Sequence, residues 1–139
     1  MREVIVDTGP LVALLNRRDE FHDWSRTAMD VIEPPMLTCE AVLAEASYLV
    51  RKLRGGPEAV VDLVTRGVLA VPFRVDAELL ALRTLLARYA SVPMSLADAC
   101  LVRMAETLPR AAVLTLDGDF RVYRRSGRLA IPVIMPESA

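Results

Sequence analysis

Val4-Ile5-Val6-Asp7-Thr8-Gly9-Pro10 opens the chain, and Ala112-Val113-Leu114-Thr115-Leu116-Asp117 repeats its plan near the other end: a short apolar run that terminates in an acid. Neither run shows the polar alternation of a strand with one wet face. Both therefore read as strands covered on both sides. Working outward, Met36-Leu37-Thr38 and the stretches 68–73 and 131–135 are further short strands. Helical patterns fill the gaps at 10–16, 20–32, 40–53, 58–66, 76–90, 95–107 and 118–125. Pro10 suits a first helical turn. Pro34-Pro35, Gly55-Gly56-Pro57, Gly67, Pro93 and Gly127 mark the stops. Strands alternating with helices predict an α/β fold, a three-layer α/β/α sandwich with a mostly parallel central sheet. In such sheets ligands bind beyond the carboxyl ends of the strands, at a topological switch point.

The 139 residues are one domain's worth of chain, so a single domain over 1–139 is expected. Hydrophobic residues make up 53% and charged ones 25%, which excludes disorder and leaves a chain able to build its own core. Lys+Arg number 17 against 18 Asp+Glu; the net charge of −1 excludes a polyanion binder that works by bulk charge alone. Asp7 and Pro10 interrupt any signal-peptide core, and no apolar run reaches the ~18 residues of a membrane span. Cys39 and Cys100 lack ligand spacing and read as reduced core residues in a cytoplasmic protein.

Four acids fall where chemistry can use them. Asp7 and Asp117 each follow a strand and arrive at the same sheet edge; alone, each also reads as a turn former. Glu45 shares the helical stripe of Val42, Ala46, Leu49 and Leu53, so it is expected on the core-facing side. There it either pairs with a cation or snorkels from the stripe's edge. Asp98 follows Ser95 by three residues, the spacing of a capping box, on a largely apolar helix whose solvent marker is Arg103.

If the four converge on one cleft, two carboxylates about 4 Å apart repel by about 4 kcal/mol at an effective dielectric near 20. Such a cluster protonates, splays or holds a cation. An all-oxygen site selects Mg²⁺ or Mn²⁺ over Zn²⁺, and a hard cation among carboxylates suits phosphodiester hydrolysis. His22 is the only histidine, which leaves no Ser/His/Asp or Cys/His set to compete. Two other readings fit less well: an Asp-x-Asp phosphatase wants an acid where Gly9 stands, and a receiver wants a lysine after a late strand, whereas Lys52 is the sole lysine.

Val4–Thr8, Glu45 on its helix, Ser95-Leu96-Ala97-Asp98-Ala99 and Leu114-Thr115-Leu116-Asp117-Gly118-Asp119-Phe120, in that order, resemble the PIN-domain nucleases, above all the VapC-type toxins of bacterial toxin–antitoxin pairs. The resemblance spans nearly the whole chain; no single motif is specific, but the ordered set is. It implies an α/β/α sandwich, an Mg²⁺- or Mn²⁺-dependent endoribonuclease, a homodimer and neutralisation by a small antitoxin protein. It makes Asp7, Glu45, Asp98 and Asp117 the catalytic, metal-binding quartet. Thr115 matches a hydroxyl near the metal, Thr8 a small polar position beside the first acid, and Asp119 a further acid that also reads as a first-turn helix residue. Asp19 and His22 resemble the family's Asp-x-x-His and are read as structural. The alternative reading is a PIN-like module that binds RNA or a protein without cutting it, and the intact quartet argues against that.

Arg121, Arg124, Arg125 and Arg128 follow Asp117 closely; they could grip phosphates, but a solvated helix end whose cations suit the dipole is the slightly favoured reading. Arg17 and Arg18 are a second basic pair. Few aromatics accompany either group, so no base-stacking platform is expected. The apolar stripes of 42–53 and 76–90 serve either core packing or a groove for an antitoxin helix.

Overall fold

The computed structural model describes residues 3–137. Five parallel strands form its central sheet: β1 (Val4–Val6), β2 (Met36–Leu37), β3 (Leu69–Ala70), β4 (Ala112–Leu114) and β7 (Val133–Ile134), in the spatial order β3-β2-β1-β4-β7. β1 lies in the middle, with Val4, Ile5 and Val6 opposite Ala112, Val113 and Leu114, and with Ile5 opposite Leu37. β1 and β4 are buried at every position, as their unbroken apolar runs require. The mostly parallel α/β/α expectation is met.

Six α-helices connect the strands: α1 (Thr8–Leu15), α2 (His22–Asp30), α3 (Glu40–Leu49), α4 (Gly56–Thr65), α5 (Leu79–Arg88) and α6 (Leu96–Thr107). Local chemistry sets their starts. Asp7 is extended and its carboxylate accepts from Thr8 N–H, so α1 begins two residues ahead of Pro10 and directly behind β1. Ser95 and Asp98 form a complete capping box at α6. Gly55, at φ 68°, makes the left-handed turn into α4.

From β1 the chain steps to β2 and β3, then returns across the sheet to β4 on β1's other side. The carboxyl ends of β1 and β4 therefore flank the switch point. Right-handed crossovers put helices on opposite faces when the direction of strand addition reverses. α1 packs on α2, α3 and α4, whereas α5 packs on α6, which lies across β1 and β4. Ile5, Val6, Leu11, Val42, Val60, Leu101, Val113 and Leu114 are all fully buried in the shared core. Cys39 and Cys100 are free and buried there too.

β1 has the expected bounds, the other sheet strands are shorter than the sequence suggests, and 118–125 is not a helix. Gly118–Arg121 is a single 3₁₀ turn, followed by an antiparallel hairpin of β5 (Arg124–Arg125) and β6 (Leu129–Ala130). Ser126 at φ 52° and Gly127 at φ 80° turn that hairpin, which no continuing helix accommodates. The 76–90 stretch likewise splits into a 3₁₀ turn, Val75–Ala77, and α5. Among the described residues no helix is long and apolar enough to cross a membrane.

Candidate functional site

Asp7, Glu45, Asp98 and Asp117 line one cavity of about 390 Å³, together with Thr8, Gly9, Leu49, Leu116 and Gly118. Four separate pieces of chain deliver the acids: the end of β1, the middle of α3, the first turn of α6 and the segment after β4. The cavity thus sits at the switch point, where the fold predicts a ligand.

Asp7 is the most constrained of the four. It is 7% exposed. Its Oδ1 accepts from Thr8 N–H at 2.7 Å, and its Oδ2 accepts from the Thr115 hydroxyl at 2.7 Å. Its own N–H continues the β1–β4 pairing by donating to Leu114 O at 2.9 Å. Burial pushes the Asp7 carboxyl up to about 6; the Thr115 and Thr8 bonds oppose that rise, and the charges of Asp98 and Asp117 add to it.

Thr115 is fully buried and works on two acids, since its Oγ1 also accepts from Asp117 N–H at 2.9 Å. Asp117 caps the 3₁₀ turn, its Oδ1 accepting from Asp119 N–H at 2.9 Å. Thr38, also fully buried, donates to Val6 O at 2.9 Å and so holds the neighbouring strand end.

Asp98 is both a capping residue and a member of the cavity wall. Its Oδ2 accepts from Ser95 N–H at 3.2 Å and from the Tyr123 hydroxyl at 3.1 Å. Tyr123, unmarked by the sequence reading, is fully buried. Burial, then the nearby Asp98 charge, raises its phenol well above the usual tyrosine value, so it stays a donor.

Glu45 corrects the sequence expectation. The buried stripe of α3 and its flanks is Cys39, Val42, Ala46 and Val50. Glu45 is exposed, and Leu49, one turn on, is 52% exposed; the two form the adjacent edge that borders the cavity. Leu53 lies beyond the end of α3. A 3.6-residue period allows either stripe, and packing against the sheet selects the one without the charge.

Asp119 is not part of the cavity wall. Burial, with the charges of Asp117 and Asp98, raises its carboxyl. His22 Nδ1 donates to Ala13 O at 2.7 Å, and Asp19 Oδ1 accepts from Phe21 N–H at 2.9 Å; both tie the α1–α2 connection, as expected of structural residues.

The acids border the cavity without closing on one another: among the described residues, no three acid, histidine or cysteine side chains already stand at metal-ligating spacing. Of the three outcomes open to such a cluster, this chain shows splaying, plus a carboxyl at Asp7 that protonates easily. The donor set nonetheless fits a hard cation. Every polar side chain on the wall offers oxygen, and Thr8 Oγ1 is buried without a hydrogen-bond partner. Mg²⁺ keeps several of its waters and needs only one or two direct carboxylates, which suits a set spread this way.

The basic cluster divides in two. Arg124 donates to the carbonyls of Arg121, Val122 and Tyr123, and Arg125 donates to Pro109 O. These two brace the hairpin. Arg121 and Arg128 are exposed, and among the described residues neither forms an ion pair. Arg103, expected in solvent, is paired with Glu78 at 2.7 Å and Glu106 at 3.3 Å.

Comparison with known proteins gives three findings. The sequence model of the PIN domain family matches residues 4–126. No curated protein matches the chain in sequence. A crystal structure of VapC20 from Mycobacterium tuberculosis, described as a sarcin–ricin loop cleaving toxin, shares the fold: the TM-score is 0.77 at 23% identity, over 94% of this chain and 100% of that one.

Proposed function

The chain belongs to the PIN domain family, and from that premise we propose that it is a divalent-metal-dependent endoribonuclease, the toxin of a toxin–antitoxin pair. One observation carries the reading: Asp7, Glu45, Asp98 and Asp117, from four separate elements, line a single cavity at the sheet's switch point. The likeness of fold to VapC20, a toxin, supports the toxin half of it.

Asp7, Asp98 and Asp117 are the residues to hold Mg²⁺ or Mn²⁺, directly or through water, with Glu45 closing the rim and Thr8 Oγ1 available to a cation-bound water. What the cation supplies when bound is Lewis acidity toward a phosphoryl oxygen and a lower pKa for the attacking water. The protein's own contribution is placement. Thr115 fixes Asp7 and the Asp117 backbone relative to one another, and the capping box fixes Asp98. Asp119 and Arg121 lie in the turn that follows Asp117 and the exposed Arg128 in the hairpin beyond it, and these are the candidates for contact with an RNA backbone. The partners that go with this reading are an RNA substrate, a cognate antitoxin and a second copy of the chain, in the cytoplasm.

The test is cleavage of an RNA carrying the sarcin–ricin loop, the first substrate to try because VapC20 is described as cutting it. Cleavage is expected with Mn²⁺, and none with EDTA or in Asp7→Asn. Equal cleavage in all three overturns the assignment. Tight RNA binding with no cleavage of any RNA at saturating metal selects the non-cutting module instead. Growth arrest on expression, relieved by the product of the adjacent reading frame, tests the toxin half.

A further inference from the structure

Tyr123 is fully buried, and every part of it is engaged. Its backbone N–H donates to Asp119 O at 3.0 Å. Its ring meets Phe120 and Tyr89 edge-on, with centroids 5.2 Å and 5.1 Å away. Its hydroxyl crosses to α6 and donates to Asp98 Oδ2 at 3.1 Å. Tyr123 thus joins two acid-bearing pieces of chain, the turn that holds Asp117 and Asp119 and the first turn of α6.

The bonds to Asp98 are asymmetric. Oδ2 takes both donors, Tyr123 O–H and Ser95 N–H. Among the described residues Oδ1 takes none, and Asp98 borders the cavity. We propose that Tyr123 is a positioning residue that pins Asp98 by Oδ2, leaving Oδ1 free to serve a divalent cation in the cavity. This rests on the metal-binding half of the function proposed above. Groups that orient a metal-ligating side chain typically change metal affinity by about 10–100-fold when removed. A tyrosine that merely filled the core has no such effect when phenylalanine replaces it, because the ring and its edge-on contacts remain.

Tyr123→Phe therefore isolates the hydroxyl. Mn²⁺ binding is measured by calorimetry on the full chain without RNA, alongside melting temperature and the Mn²⁺ dependence of RNA cleavage. Val60→Ala, at a buried α4 position away from the cavity, serves as the control for lost stability. Tyr123→Phe is expected to weaken Mn²⁺ binding about tenfold and to raise the Mn²⁺ needed for half-maximal cleavage equally. Val60→Ala is expected to melt earlier with Mn²⁺ affinity within about twofold of wild type. Tyr123→Phe affinity within twofold of wild type overturns the inference, as does an equal weakening in Val60→Ala. If the wild type binds Mn²⁺ and Tyr123→Phe binds it weakly, yet the wild type cuts no RNA, the positioning role stands and the nuclease reading falls. A wild type that binds no Mn²⁺ overturns both.

Discussion

Thr115 Oγ1 donates to Asp7 Oδ2 at 2.7 Å across 108 residues of sequence and, at the same time, accepts from Asp117 N–H at 2.9 Å. One buried hydroxyl sets the spacing of two acids at the ends of adjacent strands. In Thr115→Val the shape is kept and the hydroxyl lost, so a buried N–H and a carboxylate oxygen both lose a partner. That costs about 2 kcal/mol. The lost donor favoured the ionised form, so the Asp7 carboxyl should titrate still higher in the variant. Urea denaturation and NMR titration of Asp7 check both parts. Thr115→Ser should restore them, and an unchanged Asp7 midpoint in the valine variant would show that the bond does not govern its charge.

The raised Asp7 carboxyl also predicts how stability depends on pH. Its value is 3.8 unfolded and about 6 folded. Between those limits the folded state binds more protons than the unfolded one, so stability falls as pH rises through that window. A shift of about two units corresponds to at most about 3 kcal/mol. Asp7→Asn cannot titrate and lacks this loss. In EDTA, wild type minus variant stability should therefore drop between pH 4 and pH 7, and taking the difference cancels the remaining acids. A flat difference would mean that Asp7 is ionised as readily folded as unfolded.

Metal should reverse that penalty. A cation that binds only the folded state at about 100 times its Kd adds about 2.7 kcal/mol, or roughly 5–10 °C of melting temperature for a domain of this size. The rise should be largest near pH 7, where wild-type Asp7 is ionised and uncompensated, and smaller in Asp7→Asn. Differential scanning fluorimetry with Mg²⁺ and with EDTA reads it directly. An equal rise in both proteins places the binding ion elsewhere.

The sequence made the strand ends legible because they are local. Val4–Val6 and Ala112–Leu114 are uniformly apolar, each is followed by an acid, and a parallel sheet needs that pattern. The Ser95–Asp98 capping box was equally local, and it turned out to be compatible with a place on the cavity wall. Glu45 was harder. Periodicity cannot tell the Val42/Ala46/Val50 stripe from one that includes residue 45 until the packing partner is known. The 118–125 stretch has helical composition, yet side-chain bonds from Arg124 and Arg125 to carbonyls and the Ser126-Gly127 turn close it as a hairpin. Ser126-Gly127 was the available signal. Tyr123 carried none, since the bond that gives it meaning spans 25 residues to another element.

Two glycines give opposite predictions. A Cβ at Gly56, the first residue of α4, runs into the backbone carbonyl of Val50. Backbone cannot give way as a side chain does, so Gly56→Ala should cost about 3 kcal/mol or more. Gly118 borders the candidate site, has no heavy atom within 4 Å of a built Cβ, and is not in the left-handed region. Gly118→Ala should stay within about 0.5 kcal/mol of wild type. Urea midpoints decide; similar losses at both positions would refute the close approach of α4 to the end of α3.

The arginines separate substrate contact from scaffolding. Arg125 donates to Pro109 O and Arg124 to three carbonyls of its own turn, so their guanidinium groups are committed to the hairpin. Arg125→Ala should lower stability by about 1–3 kcal/mol. Arg121 and Arg128 are exposed and form no ion pair among the described residues. If they meet RNA phosphates, Arg121→Ala and Arg128→Ala should each leave stability near wild type. Each should also reduce the steepness with which RNA affinity falls with salt by about one unit of log–log slope. Binding to a non-cleaving Asp7→Asn background at several salt concentrations measures that slope without turnover. An unchanged slope in both variants rules out these two as phosphate contacts and makes Arg17 and Arg18, exposed in the loop after α1, the next pair to test.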